Sequence, residues 1–366
     1  MSRKDIAWFE ECRKDDTPLV GGKCASLGEL LAADIRVPPG FAVTTEAYYH
    51  FLTRAGIKEP ICKVLRRIRD GVPVHEVGEE TRRMVLEAPI PEEVETAVRA
   101  SYRALCERCG VEDVPVAVRS SATLEDMADA SFAGQQDTYL WVRGEDEVLD
   151  KVKRCWASLF SDRVIAYREE KGFTHENVRI SVGVQKMVRA RTSGVLFTLN
   201  PVNGDRSKVA INAAWGFGEG VVSGDITPDD FLVDKVTFDI LRRTVVPKPE
   251  AYLLDEATER VCRMEVPEGD RAKASLSDDE IQELTRLARR IEKHYGRPMD
   301  VEWAVDADLP FPESIVTLQA RPETVWSQKP ARTVAKEKPK SALDAIVGKL
   351  LAGVPVQSKA QTVGGV

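Results

Sequence analysis

No apolar run in this 366-residue chain approaches the roughly 20 residues that cross a bilayer, which excludes a helical membrane span. The N-terminus, MSRKDIAWFEECRKDD, lacks the apolar centre of a secretory signal, so a cytoplasmic setting is expected. Concentrated basic sequence is also missing from the body of the chain. With 52 Lys and Arg against 59 Asp and Glu the formal charge is −7, which argues against nucleic acid as a partner, since phosphate backbones require a basic face. Cysteine is sparse and odd in number: seven, at positions 12, 24, 62, 106, 109, 155 and 262. In a reducing compartment these read as free thiols. Cys106 and Cys109 make one C-x-x-C, but no second pair completes a zinc site. Two phosphate-binding signatures are absent as well. The glycines of Ala214–Gly220 do not follow G-x-G-x-x-G, so a Rossmann reading is poor. No P-loop surrounds Gly21-Gly22-Lys23, because no glycine stands five residues before Gly22 and Cys24 replaces the magnesium-binding hydroxyl.

What is present centres on Val114–Val142, VPVAVRSSATLEDMADASFAGQQDTYLWV. Alternating Val116 and Val118 predict a strand that ends at Arg119 and is followed by the hydroxyls of Ser120, Ser121 and Thr123. An acidic turn (Glu125, Asp126, Asp129) leads into the small-residue loop Ser131-Phe132-Ala133-Gly134, and Thr138–Val142 predicts a second strand. An arginine leaving a strand opposite a glycine-containing loop can hold a polyphosphate: the guanidinium forks onto oxygens while bare backbone N–H groups approach closely. For such an arginine in isolation, a surface salt bridge is the competing reading.

Upstream, Lys23 precedes a helix predicted from about Ala25 to Ala33, with Leu27, Leu30 and Leu31 on its apolar face. A lysine there stands near the amide donors of the first turn, which suits an anion. Pro38-Pro39-Gly40 predicts a turn and Phe41–Val43 a short strand. Residues 46–110 read as helical scaffold punctuated by Pro60, Pro73 and Pro91, and one long amphipathic helix is expected from Asp146 to Glu170.

Downstream, Arg179–Val188 predicts a strand with Ile180, Val182 and Val184 on one face and Ser181, Gly183 and Gln185 on the other. Ser277-x-x-Glu280 forms a capping box for a helix that ends at Gly296. Two strands follow, Met299–Asp306 and Ser314–Arg321. A symmetric hairpin would place Glu302 beside Gln319 and Arg321 on a polar face, with Thr317 on that face too. A carboxylate, an amide oxygen and a guanidinium together can bind magnesium and phosphate. An ordinary solvated outer face reads the same way. Residues 327–341 are rich in Lys, Pro, Ala and Ser and read as a linker to a short tail that meets another chain or domain.

These stretches, in colinear order over residues 18–325, resemble the nucleotide-binding part of the phosphoenolpyruvate synthase and pyruvate phosphate dikinase family. The segments that carry the resemblance are Gly21-Gly22-Lys23-x-x-Ser26-Leu27-Gly28, Val118–Asp126, Ser131–Gln135, Asp300–Ala304 and Leu318–Pro322. The resemblance implies an α+β, ATP-grasp fold in which two lobes clamp ATP, with a helical N-terminal region and a C-terminal linker tail. Residues 1–110 would form the N-terminal part of the first lobe and 111–178 its remainder with the lid loop. Residues 179–326 would form the second lobe, and 327–366 the linker and partner-contacting tail. By the same resemblance Lys23, Arg119 and Arg321 hold phosphates and carry the catalysis, while Gly134 and Thr138 cover them. Gln185, with backbone groups near Met187 and Val188, meets the adenine edge, and Glu302 and Gln319 coordinate magnesium.

The implied activity is that of a dikinase-type phosphotransferase component using ATP and Mg²⁺. It would pass a phosphoryl group to a histidine on a partner subunit or domain and then to an acceptor such as phenol, leaving AMP and phosphate. None of the four histidines (His50, His75, His175, His294) stands in the glycine-rich context of the family's phosphohistidine loop, so the chain is expected to be inactive in the full reaction without that partner. Two accounts fit. One is a separate ATP-binding subunit in a hetero-oligomer, as in phenylphosphate synthase, which the starting Met and the linker favour. The other is the excised front part of a phosphoenolpyruvate synthase or rifampicin phosphotransferase. From other classes come an ATP-sensing regulatory subunit, disfavoured by the full set of charged and metal-binding residues, and a structural subunit without nucleotide.

Overall fold

Hydrophobic periodicity switches repeatedly between two and about 3.6 along this chain, and the elements follow it. The computed structural model describes residues 3–122, 126–127, 130–131, 138–173 and 178–326. Gly134 and its loop, Thr123, Glu125, Asp129, His175 and the tail at 327–366 lie outside the described residues. The first part runs through β1 (Ile6–Trp8), α1 (Thr17–Ala32), β2 (Gly40–Val43), α2 (Thr45–Arg54), α3 (Lys58–Arg66), α4 (Val74–Glu87) and α5 (Glu92–Cys109). It continues with β3 (Val116–Ala122), the two-residue strands β4 (Asp126–Met127) and β5 (Ala130–Ser131), β6 (Thr138–Val142), α6 (Glu145–Ser158), α7 (Asp162–Lys171) and β7 (Ile180–Lys186). Then come β8 (Ala190–Phe197), β9 (Lys208–Trp215), α8 (Glu219–Ser223), β10 (Asp229–Asp234), β11 (Ile240–Thr244), β12 (Glu250–Asp255), β13 (Arg260–Glu265), α9 (Glu268–Arg271), α10 (Asp278–Tyr295), β14 (Met299–Asp306) and β15 (Ile315–Pro322).

Two antiparallel sheets organise these elements. The first has the order β1-β2-β7-β3-β6 and the second β11-β10-β9-β8-β14-β15. Both fall within one compact unit, Met1–Ser327. On one face of the first sheet, Phe41, Val118, Val182 and Val184 pack with Tyr48, Phe51, Val94, Tyr102 and Trp156 from the helices. On one face of the second sheet, Leu196, Ile211, Phe231 and Trp303 pack with Ile281, Leu284, Ala288 and Ile291 of α10. Cys24, Leu27 and Leu30 of α1 join that same second cluster. Helix α1 belongs by sequence to the first lobe, and it buries its apolar side in a cluster that joins Ala7, Phe9 and Ala42 of that lobe to the second sheet. The first lobe's glycine-lysine turn is thereby fixed to the strand that carries Gln319.

Three expectations need correction. Strand β7, expected to open a second lobe at 179, lies in the middle of the first sheet, paired antiparallel with β2 and β3. Its apolar face, Ile180, Val182 and Val184, is fully buried in the first core, so the second sheet begins at Ala190. The long helix expected over 146–170 is two helices. Ser158 Oγ turns back to donate to Cys155 O at 2.7 Å, Arg168 Nη2 donates to Leu159 O at 2.6 Å, and extended Ser161 starts α7. Thirdly, the hairpin of β14 and β15 is not symmetric. A bulge lies between Glu302 and Trp303, so Glu302 faces Gln319 but Trp303 faces Thr317. Thr317 thus turns into the core with Trp303 instead of sharing the polar face, and Leu318 is the extra residue.

Candidate functional site

The site begins at a break in α1. Gly21 has φ 70° and ψ 167°, outside the helical region, and splits α1 so that Lys23 stands in the first turn of the segment that follows. A side chain at position 21 would be strained in that backbone and would meet Ser121 O at 2.0 Å. The break is held open by Ser121. Its Oγ donates to Val20 O at 3.0 Å and accepts from Cys24 N–H at 3.3 Å, so the hydroxyl serves the two groups that one helical hydrogen bond would join. Lys23 Nζ donates to Ser120 O at 3.0 Å. The serines following Arg119 thus fix the lysine turn to the end of β3.

Arg119 reaches from β3 to the second sheet. Its Nη2 donates to Gln319 Oε1 at 2.9 Å and to Glu302 Oε2 at 3.2 Å, and its Nη1 lies 3.4 Å from Leu318 O. Its Nε is buried without a hydrogen-bond partner. Thr138 pairs directly opposite Arg119 on β6 and is exposed. Gln185 is buried on β7 and donates from Nε2 to Pro38 O at 3.4 Å. Lys23, Arg119, Gln185 and Gln319 line one crevice together with Phe9, Cys24 and Leu318. The space left inside it is only about 10 Å³, hardly a single water. Arg321 stands opposite Asp300 and donates to its Oδ2 from Nε at 2.9 Å. Burial raises Asp300 above the usual carboxylate range, and the Arg321 guanidinium opposes that rise.

The connection between the sheets runs past Met187 and Val188. The Met187 N–H is already given to Pro115 O at 2.8 Å and the Val188 carbonyl accepts from Ala190 N–H at 2.9 Å. Those two backbone groups are engaged within the chain. Beside them Val188, Ala304 and Val316 form a small apolar cluster against which Ala190 and Leu318 pack. The bulge creates this platform, because it puts Val316 and Leu318 on the Glu302 side of the hairpin. A strict period of two could not reveal it. Asp300 was visible as a polar residue two positions before Glu302, and its registration against Arg321 is the signal that marks it as part of the site. Ser26 gave no signal on its own; its Oγ donates to Ala320 O at 2.6 Å, between Gln319 and Arg321.

Chemically the arrangement offers cations from α1 and β3 opposite hard oxygen donors on β14 and β15. Glu302 and Gln319 already share one cation, the Arg119 guanidinium, so their oxygens fit a positively charged centre. Carboxylate and carboxamide oxygens are the ligand types that Mg²⁺ takes. Among the described residues no three His, Cys, Asp or Glu side chains cluster to hold a metal unaided. Magnesium held by one or two carboxylates and completed by phosphate oxygens needs no such cluster. Trp141 of β6 meets Phe217 edge to face at 6.0 Å, which brings the Ala214–Gly220 run to the edge of the first sheet.

Residues 17–342 match the family described as pyruvate phosphate dikinase, AMP/ATP-binding domain. A probable phosphoenolpyruvate synthase of Staphylothermus marinus is 46% identical over 92% of this chain and 43% of its own length. The phosphoenolpyruvate synthase of Aeropyrum pernix is 44% identical over 92% of this chain and 44% of its own. The chain therefore spans less than half the length of these two curated relatives. Among solved structures, D-alanyl-alanine synthetase A from Vibrio cholerae superposes at a TM-score of 0.25 with 11% identity, over 68% of this chain and 63% of that one, too distant to carry structural weight.

Proposed function

The chain belongs to the family of the pyruvate phosphate dikinase AMP/ATP-binding domain, an α+β ATP-grasp fold, and from that premise we propose that it binds Mg-ATP between its two sheets and passes a phosphoryl group to a histidine on another domain or subunit. The observation that carries the reading is that Arg119, which lines one crevice with Lys23 and Gln319, also donates to Gln319 and Glu302. Lys23, Arg119 and Arg321 would hold the phosphates. Glu302 and Gln319 would hold Mg²⁺, which supplies charge neutralisation on the phosphoryl oxygens. Thr138, with Gly134 of the loop before it, would cover the phosphates. The base would lie on the platform of Val188, Ala304, Val316 and Leu318, with Gln185 and the Met187–Val188 backbone at its edge. Phosphoryl transfer asks little covalent work of the protein, so positioning and electrostatics carry the rate.

A carrier histidine on another domain or subunit is part of this reading. His75 and His294 are engaged with Asp162 at 2.9 Å and Glu29 at 2.8 Å, and His50 lies 4.0 Å from Glu93. No histidine lines the crevice among the described residues. The names of the curated relatives favour an acceptor of the pyruvate class over a phenol, with the acceptor site on a further domain or partner chain.

The test uses the full chain, Mg²⁺, ATP labelled at the β-phosphoryl and a candidate histidine-bearing partner. Labelled phosphohistidine on the partner, with AMP and phosphate released, is the expected result. A chain that shows no calorimetric binding of Mg-ATP ends the proposal outright. Intact transfer in Glu302→Ala would end the role given to Glu302 and turn the reading toward a nucleotide sensor.

A further inference from the structure

Resting on the reading just given, we propose that Arg119 serves as the site's own cation before ligand arrives, so that a divalent metal binds tightly here only together with a polyphosphate. Glu302 Oε2 and Gln319 Oε1 are the two oxygens suited to a hard cation, and both accept from a single nitrogen, Arg119 Nη2. A metal ion and a guanidinium cannot share that position, because unit charges a few ångströms apart repel strongly even where water partly screens them. Free metal therefore has to displace the arginine to reach its ligands.

Arg119 is held in a way that favours release to a better acceptor. Its contact with Glu302 is single-pronged at 3.2 Å, and that with Leu318 O is long at 3.4 Å. Its Nε is buried with no hydrogen-bond partner. A buried unused donor is costly, and a planar guanidinium recovers that cost by forking onto an anion with several oxygens. Phosphate oxygens provide such an anion; a single carboxylate oxygen at 3.2 Å does not. The residual space of about 10 Å³ fits this picture, since the arginine and its neighbours fill the crevice themselves. A polyphosphate that draws Arg119 toward itself uncovers Glu302 and Gln319, and the metal that then binds them offsets the added negative charge. Each ligand raises the affinity for the other by the same factor.

The experiment titrates the full chain with Mn²⁺ alone, following free Mn²⁺ by electron paramagnetic resonance. It compares wild type, Arg119→Met and the double variant Arg119→Met/Glu302→Gln. Arg119→Met should bind Mn²⁺ without nucleotide at least about tenfold more tightly than wild type, because a cation at the ligand oxygens has gone. The added Glu302→Gln should abolish that gain. Equal Mn²⁺ affinity in wild type and Arg119→Met, with Mg-ATP still bound by wild type, overturns the placeholder role and leaves the nucleotide site standing. If wild type binds neither Mg-ATP nor Mn²⁺ and Arg119→Met binds no Mn²⁺, both readings fall. Circular dichroism checks the fold, and Arg119→Gln carries the same comparison if the methionine variant is unfolded.

Discussion

Arg119 Nη2 lies 2.9 Å from Gln319 Oε1 across 200 residues of sequence. That contact joins the end of β3 in the first sheet to β15 in the second, and Ser26 Oγ donating to Ala320 O repeats the connection one residue further along β15. The two sheets are thereby tied together at a crevice. Lys23, Arg119, Gln185 and Gln319 meet there beside the apolar Phe9, Leu27 and Leu318, and that concentration of charged and amide groups is suited to a ligand and poorly suited to a core.

Removing Lys23 separates binding from stability. Lys23→Met should weaken Mg-ATP by about ten- to a hundredfold, the value of one charge-assisted contact of about 1.5–3 kcal/mol. The melting temperature should change less than the affinity, because Lys23 is only partly buried and its ammonium donates to a backbone carbonyl, Ser120 O. Isothermal titration alongside differential scanning calorimetry checks both. A large loss of stability with unchanged nucleotide affinity would mark Lys23 as a structural anchor.

Gly21→Ala tests the break in α1. The substituted residue would sit at φ 70° with its Cβ 2.0 Å from Ser121 O, so backbone must shift. A loss of about 1–3 kcal/mol is expected from the strained conformation alone, read by urea denaturation. Because the same break places Lys23 in a first turn, nucleotide affinity should fall together with stability. Wild-type affinity in a destabilised but folded Gly21→Ala would separate the break from the site.

Much of this was legible in the sequence, and the failures share a physical cause. The Ser277-Glu280 capping box, the α10 stripe and the two faces of β7 follow from local pattern, and the structure has them. Gly183 and Gln185 do face the crevice, as alternation requires. Periodicity carries no information about a bulge, so the polar-face position expected for Thr317 is wrong. Nor does it say which sheet a strand joins: β7 reads equally well as the first strand of a second lobe until its pairing with β2 and β3 is known. The ligand of a polar residue is likewise invisible locally. Asp229, one of two adjacent acids that open β10, is fully buried and accepts from Lys248 Nζ at 2.6 Å and from Ser275 N–H and Oγ.

That buried pair supports a third prediction. Lys248 and Asp229 have no exposed side-chain surface, so Lys248→Met leaves a carboxylate uncompensated in the interior. Breaking such a pair from one side costs about 3–5 kcal/mol. Urea midpoints should fall accordingly. A cost below about 1 kcal/mol would mean that the hydrogen bonds from Ser275 and Val246 hold the carboxylate without the lysine.

The pair Asp300–Arg321 makes stability depend on pH in a defined direction. Burial raises the Asp300 carboxyl, so between its ordinary value and the raised one the folded chain holds a proton that the unfolded chain has released. Stability contributed by this group is therefore full in acid and declines as pH climbs through that window. Arg321 donates to the carboxylate at 2.9 Å and limits the rise. Arg321→Met should consequently widen the window. Its destabilisation relative to wild type should be about 1–3 kcal/mol near neutral pH, where the carboxylate stands charged without its partner. It should shrink as pH falls toward the ordinary carboxylate range, where the proton replaces the arginine. Calorimetric melting from pH 4 to pH 8 measures the difference, and Asp300→Asn in the Arg321→Met background should flatten it. A wild-type-minus-variant difference that stays constant across that range would show that Arg321 acts through packing and not through the charge on Asp300.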